Sequence, residues 1–183
     1  MKKNEEYIVT CIDDTDLNSG VVKIDDMVVF VPNLLIGEKA KIKIVKVNKK
    51  YAFGIITQLL KPSINRQELT CEVAKTCGGC QLQHMKYAYQ LDYKYKHIKK
   101  LFEDIEVKPI LDMDSPWYYR NKAQFPVKIK DGKVLMGFYR QHSNDVVTCK
   151  ECKIQDFTIN KIFGFIQKHI TIEKIGRASC RER

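Results

Sequence analysis

The chain has 183 residues, 44% hydrophobic and 30% charged, and 32 Lys plus Arg against 22 Asp plus Glu leave a net charge of +10. That composition excludes a disordered or fibrous chain, and no stretch reaches the roughly 20 apolar residues of a membrane span. The excess of cations points to a polyanionic partner, RNA or DNA first, although a merely basic enzyme would carry the same charge.

The N-terminus, "MKKNEEYIVT", has a charged start and no apolar core behind it. It is therefore not read as a secretory signal, and a cytoplasmic location is expected. Seven cysteines in a reducing compartment point to metal binding or chemistry before disulfides.

Residues 1–61 read as a small barrel of OB type built from five short antiparallel strands. In "YIVTCID", Ile8, Thr10 and Ile12 alternate with Tyr7, Val9 and Cys11. Asp25-Asp26 divides two β-branched runs and marks a hairpin. Further on, Ala40, Ile42, Ile44 and Val47 trade places with Lys39, Lys41, Lys43 and Lys46, with one slip that predicts a bulge near Val45. Asn48-Lys49-Lys50 makes the next turn. The row of strand lysines has two uses: it discourages edge pairing, or it tracks phosphates. The stretch "GVVKIDDMVVFVPNLLIGEKAKIKIVKVNKKYAFG" resembles a TRAM domain, the OB-like RNA-binding module of several RNA-modifying enzymes. Gly20, Phe30, Val31, Pro32, Gly37, Glu38, Ala52 and Gly54 carry the likeness, with "LNSG" standing where a glycine-rich turn is usual.

Residues 62–104 hold a cysteine loop and a helix. "CEVAKTCGGCQLQH" places Cys71, Cys77 and Cys80 within ten positions. A Cys-x-x-Cys pair can reach one metal, and Gly78-Gly79 lets the backbone wrap closely. Cys149 and Cys152 in "TCKECKIQ" are candidates for a fourth ligand. Spacing leaves three readings open: a [4Fe–4S] cluster, structural zinc on two Cys-x-x-Cys knuckles, or buried unligated thiols. His84 reads as a packing or supporting histidine. A helix is predicted from Gln81 to about Asp104, with Ala88, Leu91, Tyr95, Ile98 and Phe102 on its apolar face and Lys94, Lys96, Lys99 and Lys100 on the other sides.

Residues 105–174 read as strands followed by a helix beginning in "FTINKIFGFIQKHI". Asp131-Gly132 is a hairpin turn. Aromatic and cationic residues interleave here, a mixture suited to single-stranded RNA. Candidate RNA contacts are Lys41, Lys43, Lys46 and Lys50 of the barrel and Arg120, Lys122, Phe125 and Arg140 of this segment. The terminal "IGRASCRER" resembles a translated sequencing adapter. Residues 175–183 are therefore expected to be foreign, with the natural frame running on past Lys174.

Taken together, the barrel, "C-x5-C-G-G-C-Q-L-Q-H", "PWYYRNKAQFPV", "GFYRQHSNDVV" and "CKIQ" resemble the iron–sulfur branch of the RNA uracil-5 methyltransferases. The likeness is greatest to enzymes acting on 23S ribosomal RNA, with tRNA enzymes the alternative. It implies a multidomain protein: an OB-like TRAM barrel, then an α+β lobe with a cysteine cluster. It implies a 4Fe–4S cluster on Cys71, Cys77, Cys80 and Cys152, with Cys149 incidental. It implies methyl transfer from S-adenosyl-L-methionine to uracil C5. In that family a thiolate nucleophile, a base and the cofactor pocket lie in a C-terminal Rossmann-like domain, which is expected to be missing from this chain. No catalytic residue is assigned, and the 183-residue chain is expected to be inactive. The expected partner is RNA, ribosomal before transfer, with no membrane and a monomeric state. The rival reading is a standalone RNA-binding adaptor, stabilised by zinc or a cluster.

Overall fold

In a computed structural model that describes residues 1–172, the chain divides into two units. The first joins Met1–Glu68 to Gln81–Leu111, and the second joins Leu69–Cys80 to the chain from Asp112 onward. The adapter-like stretch 175–183 lies outside the described residues. Among the described residues no helix is long and apolar enough to cross a membrane.

The first unit contains β1 (Glu6–Thr10), β2 (Asp13–Asp14), β3 (Ser19–Ile24), β4 (Met27–Pro32), β5 (Lys39–Val47) and β6 (Tyr51–Lys61), in the sheet order β1-β5-β6-β4-β3-β2. All pairs are antiparallel except β4 with β6. The run 6–14 bonds to both edges of the sheet: Ile8 lies opposite Lys41, and the Ile12 amide donates to Val21 O at 2.9 Å. That double pairing curls the sheet on itself and protects its edges.

Side-chain alternation fills the interior. Val22, Val29, Val31, Ala40, Ile42, Ile44 and Ala52 are fully buried, with Val9 and Cys11 beside them. Ile8 and Ile12 point outward, so the Val9/Cys11 set is the inner face of the first strand. The register slips between Ile44 and Lys46, a bulge at the predicted place. Asp25 takes a positive φ in the two-residue turn between Ile24 and Met27.

Helix α1 (Tyr87–Leu101) is shorter than predicted, and its buried face is a different one. Tyr93 is buried with Tyr89, Leu35, Met85 and Leu82, whereas Ile98 and Phe102 are exposed. The polar end of Tyr93 decides this. Its hydroxyl accepts from the Asn18 amide at 3.1 Å and donates to Thr15 O, so a tyrosine satisfies the buried turn where an isoleucine would not. Glu38 is fully buried beside that turn. It accepts from Arg66 at 2.6 and 2.7 Å and from the Leu35 and Ser63 amides.

The second unit contains β7 (Val127–Lys130) and β8 (Lys133–Met136), joined through Asp131 and Gly132, both at positive φ. β9 (Phe138–Tyr139) pairs with β10 (Val146–Val147). Helix α2 (Phe157–His169) is capped by Asp156, whose side chain accepts from the Thr158 amide at 2.7 Å. Met136, Cys149 and Phe163 form the core with Val73, Phe125 and Phe138 packed around them.

Within 62–104, the cysteine loop groups with the second unit, and the helix groups with the barrel through Tyr93. The half-buried Phe125 ring stacks on Phe163 at 4.3 Å and meets Phe138 edge-on at 5.2 Å.

Candidate metal centre and nucleic-acid surface

The cysteine loop winds tightly before it reaches the Cys-x-x-Cys pair. The amides of Thr76 and Cys77 both donate to Val73 O, at 3.0 and 2.8 Å. Cys77 then forms an isolated bridge with Arg140, and the Gly78 amide donates to Tyr139 O at 2.9 Å. A Cβ on Gly78 would lie 3.2 Å from Tyr139 O and Gln141 Cα, so glycine is what permits this close seam. The Gly79 amide points back at Cys77 Sγ, 3.4 Å away.

Cys152 sits in a second turn, closed by the Gln155 amide on Cys152 O at 3.1 Å. Asn160 of α2 clamps that turn. Its Oδ1 accepts from the Cys152 amide at 2.8 Å, and its Nδ2 donates to Cys152 O at 3.0 Å and Gln155 O at 2.9 Å. Arg120 holds the other side, donating its amide to Ile154 O and accepting from the Asp156 amide, each at 2.8 Å.

Four thiols share one electrostatic neighbourhood. Burial raises the Cys77 thiol, the Gly79 amide opposes that, and Cys152 and Cys71 raise it further. Cys152 is raised by burial and by Cys71, while the amides of Ile154 and Gln155 and the charge of Arg120 pull it down. Cys149 is pushed up to about 12, first by burial and then by Cys152, Cys71 and Cys77. Cys80 is half-buried at the end of the loop. Among the described residues no three His, Cys, Asp or Glu side chains already converge as a metal cage. The donor chemistry nonetheless fits a thiophilic centre. The thiols of Cys71, Cys77, Cys149 and Cys152 feel one another's charge, the Gly79 amide points at Cys77 Sγ, and thiolates so coupled need a cation to coexist. Cys149 differs from the others: it lies in the apolar core against Met136 and Phe163.

The RNA candidates fall in both units. Lys41 is paired with Glu6 at 2.6 Å. Lys43 is half-buried and Lys46 and Lys50 are exposed, and none of the three has an ion pair among the described residues. Arg120, Lys122 and Arg140 are exposed in the second unit. One surface feature escaped sequence reading: Phe30, Tyr51 and Phe53 meet on the outer face of the barrel, with centroids 5.5 to 5.9 Å apart. They come together through the parallel β4–β6 pairing, which alternation along one strand cannot reveal.

Residues 3–57 match the TRAM domain family. An uncharacterized RNA methyltransferase of Halalkalibacterium halodurans is 41% identical over 174 residues, covering 92% of this chain and 38% of the relative. One from Oceanobacillus iheyensis is 42% identical over 175 residues, with the same coverage. The crystal structure of Pyrococcus abyssi tRNA (uracil-54, C5)-methyltransferase with S-adenosyl-L-homocysteine superposes with a TM-score of 0.57 at 26% identity, over 87% of this chain and 37% of that one. The first unit is thus built on a TRAM domain. The chain is a homologue of RNA methyltransferases, aligned with them over about nine-tenths of its length and spanning about 38% of theirs.

Proposed function

We propose that the chain is the RNA-binding portion of an S-adenosyl-L-methionine-dependent RNA uracil-5 methyltransferase acting on 23S ribosomal RNA in the cytoplasm. The observation that carries this is identity above 40% to RNA methyltransferases across both units. The superposition on a uracil-54 C5 enzyme bound to the demethylated cofactor supports the carbon that receives the methyl group. The ribosomal target rests on the cysteine and "YRNKAQFPV" pattern. No residue of this chain is assigned to methyl transfer; its residues hold RNA and fix the cysteine turns.

A 4Fe–4S cluster on Cys71, Cys77, Cys80 and Cys152 is part of the proposal, and when bound it would cross-link two distant turns of the second unit. The amide aimed at the sulfur of Cys77, the amides that lower the Cys152 thiol, and the apolar setting of Cys149 support that choice of ligands.

The test uses the full-length protein encoded at the locus, incubated with labelled cofactor and with 23S rRNA or tRNA. Label in uracil C5 of the rRNA is expected. Label in tRNA alone overturns the ribosomal target, and label in neither overturns the enzyme reading in favour of an adaptor.

A further inference from the structure

On the outer face of the TRAM barrel, strand parity gathers a group of residues that the RNA-contact candidates do not include. Phe30 alternates with buried Val29 and Val31, and Tyr51 and Phe53 flank buried Ala52. The β4–β6 register sets Phe30 directly beside Phe53. Phe30 and Tyr51 meet at 67°, and Tyr51 and Phe53 at 89°. Edge-on contact of this kind occupies one face of one ring in each pair, while Phe30 and Phe53 are half-buried and tilted at 41° to each other. Tyr51 is 39% exposed.

Cations bracket the rings. Lys46 pairs with Phe53 across β5–β6, and Lys43 pairs with the next outward position, Ile55. On the other side Lys23 opposes Val28, which pairs with Tyr51. Strand spacing puts Lys46 about 5 Å from Phe53 and Lys23 about 10 Å from Tyr51 across the sheet, within reach of the phosphates of a nucleotide whose base lies on the rings. Glu6 pairs with Lys41 at 2.6 Å and lies opposite Lys43 in the β1–β5 register, so of the three lysines Lys43 is the one it partly offsets, while Lys23 and Lys46 keep their charge.

We infer that Phe30, Tyr51 and Phe53, with Lys23, Lys43 and Lys46 around them, form a stacking platform for unpaired RNA bases. The inference rests on the RNA-binding reading above and specifies one site and one form of RNA. Rings offer π faces to any base, and lysines meet phosphates; neither reads a base edge. The platform therefore binds single strands with little sequence preference and rejects a duplex, whose bases are already stacked.

The test measures anisotropy of a labelled 12-nucleotide oligouridylate with the full chain, beside a 12-base-pair RNA duplex, over a salt series. The double variant Tyr51→Leu/Phe53→Leu keeps apolar bulk on the strand but removes the π faces, and a thermal melt confirms that it folds. It should weaken single-strand binding about tenfold or more and leave the salt slope unchanged. Lys43→Gln/Lys46→Gln should weaken binding and lower the salt slope by about one or more. With 5-iodouridine in the strand, photocrosslinks should map to Tyr51 or Phe53. If the unaltered chain binds RNA but the leucine variant binds within twofold of it, the platform is wrong while RNA binding stands. Crosslinks confined to the second unit, or tighter binding of the duplex, overturn it equally. A chain that binds no RNA overturns both readings.

Discussion

His84 shows how one side chain can set the acid limit of the first unit. It is buried, and its Nε2 has no hydrogen-bond partner among the described residues. Burial, reinforced by the charge of Arg66, pulls its pKa from 6.5 down to about 4. The folded state therefore refuses a proton that the unfolded chain accepts between those values. Its contribution is fully present above pH 6.5 and is lost as pH falls towards 4. Urea unfolding should show about 2 kcal/mol less stability at pH 5 than at pH 7.5 from this group. His84→Gln should flatten that part of the profile, and parallel profiles for the two proteins would refute the assignment. Glu38 acts at lower pH. Burial alone would raise it, but Arg66 and the Ser63 and Leu35 amides outweigh burial and hold it below the usual 4.5. Its contribution is present above 4.5 and fades as pH falls through its folded value.

At the scale of elements, the turn at Cys152 depends on one side chain from helix α2. Asn160→Ala removes three hydrogen bonds and leaves the Cys152 amide without its partner. A loss of about 2 kcal/mol in unfolding free energy is expected, together with less iron per chain after anaerobic purification. In the same assay Cys152→Ser should lose iron, while Cys149→Ser should keep it. Zinc without iron in the unaltered protein would overturn the cluster. Period-two alternation made β3 to β6 legible in the sequence, and a single misplaced lysine located the bulge after Ile44. Two hairpins were legible from Asp-Asp and Asp-Gly. The face of α1 was not. Counting apolar residues favoured Ile98 and Phe102, but the Thr15–Asn18 turn, whose carbonyl and amide both meet a hydroxyl, selected the tyrosine row. The packing of Phe125 was not legible either, because its stacking partner lies 38 positions away. Cys71, Cys77 and Cys80 stand out in the sequence because their spacing is local. The clamp by Asn160 does not, because an asparagine in a helix has no distinctive pattern.

For the molecule as a whole, the division into units cuts across chain order. The stretch Gln81–Leu111 belongs with the barrel although the cysteine loop precedes it. Residues 1–68 and 69–183, expressed together as separate pieces, should therefore co-purify. The Tyr93 hydroxyl with Thr15 and Asn18, and the bridge of Arg66 with Met85, would hold them. Tyr93→Phe should weaken the pair about tenfold, by removing the hydrogen bonds that the hydroxyl makes with Thr15 O and the Asn18 amide. Recovery of the second piece free of the first would contradict the division.

The detour of residues 69–80 also has a consequence in time. Cys71, Cys77 and Cys80 leave the ribosome at least 72 residues ahead of Cys152, an interval of about 4–14 s at ordinary rates of synthesis. Throughout it, the barrel and α1 can fold without the cysteine loop, whose thiols have nothing of their own unit to close upon. For those seconds they are open to oxidants, to stray metals and to any protein that delivers a cluster. For the proposed cluster, the order of translation would present three ligands first and complete the site only when the Cys152 turn emerges.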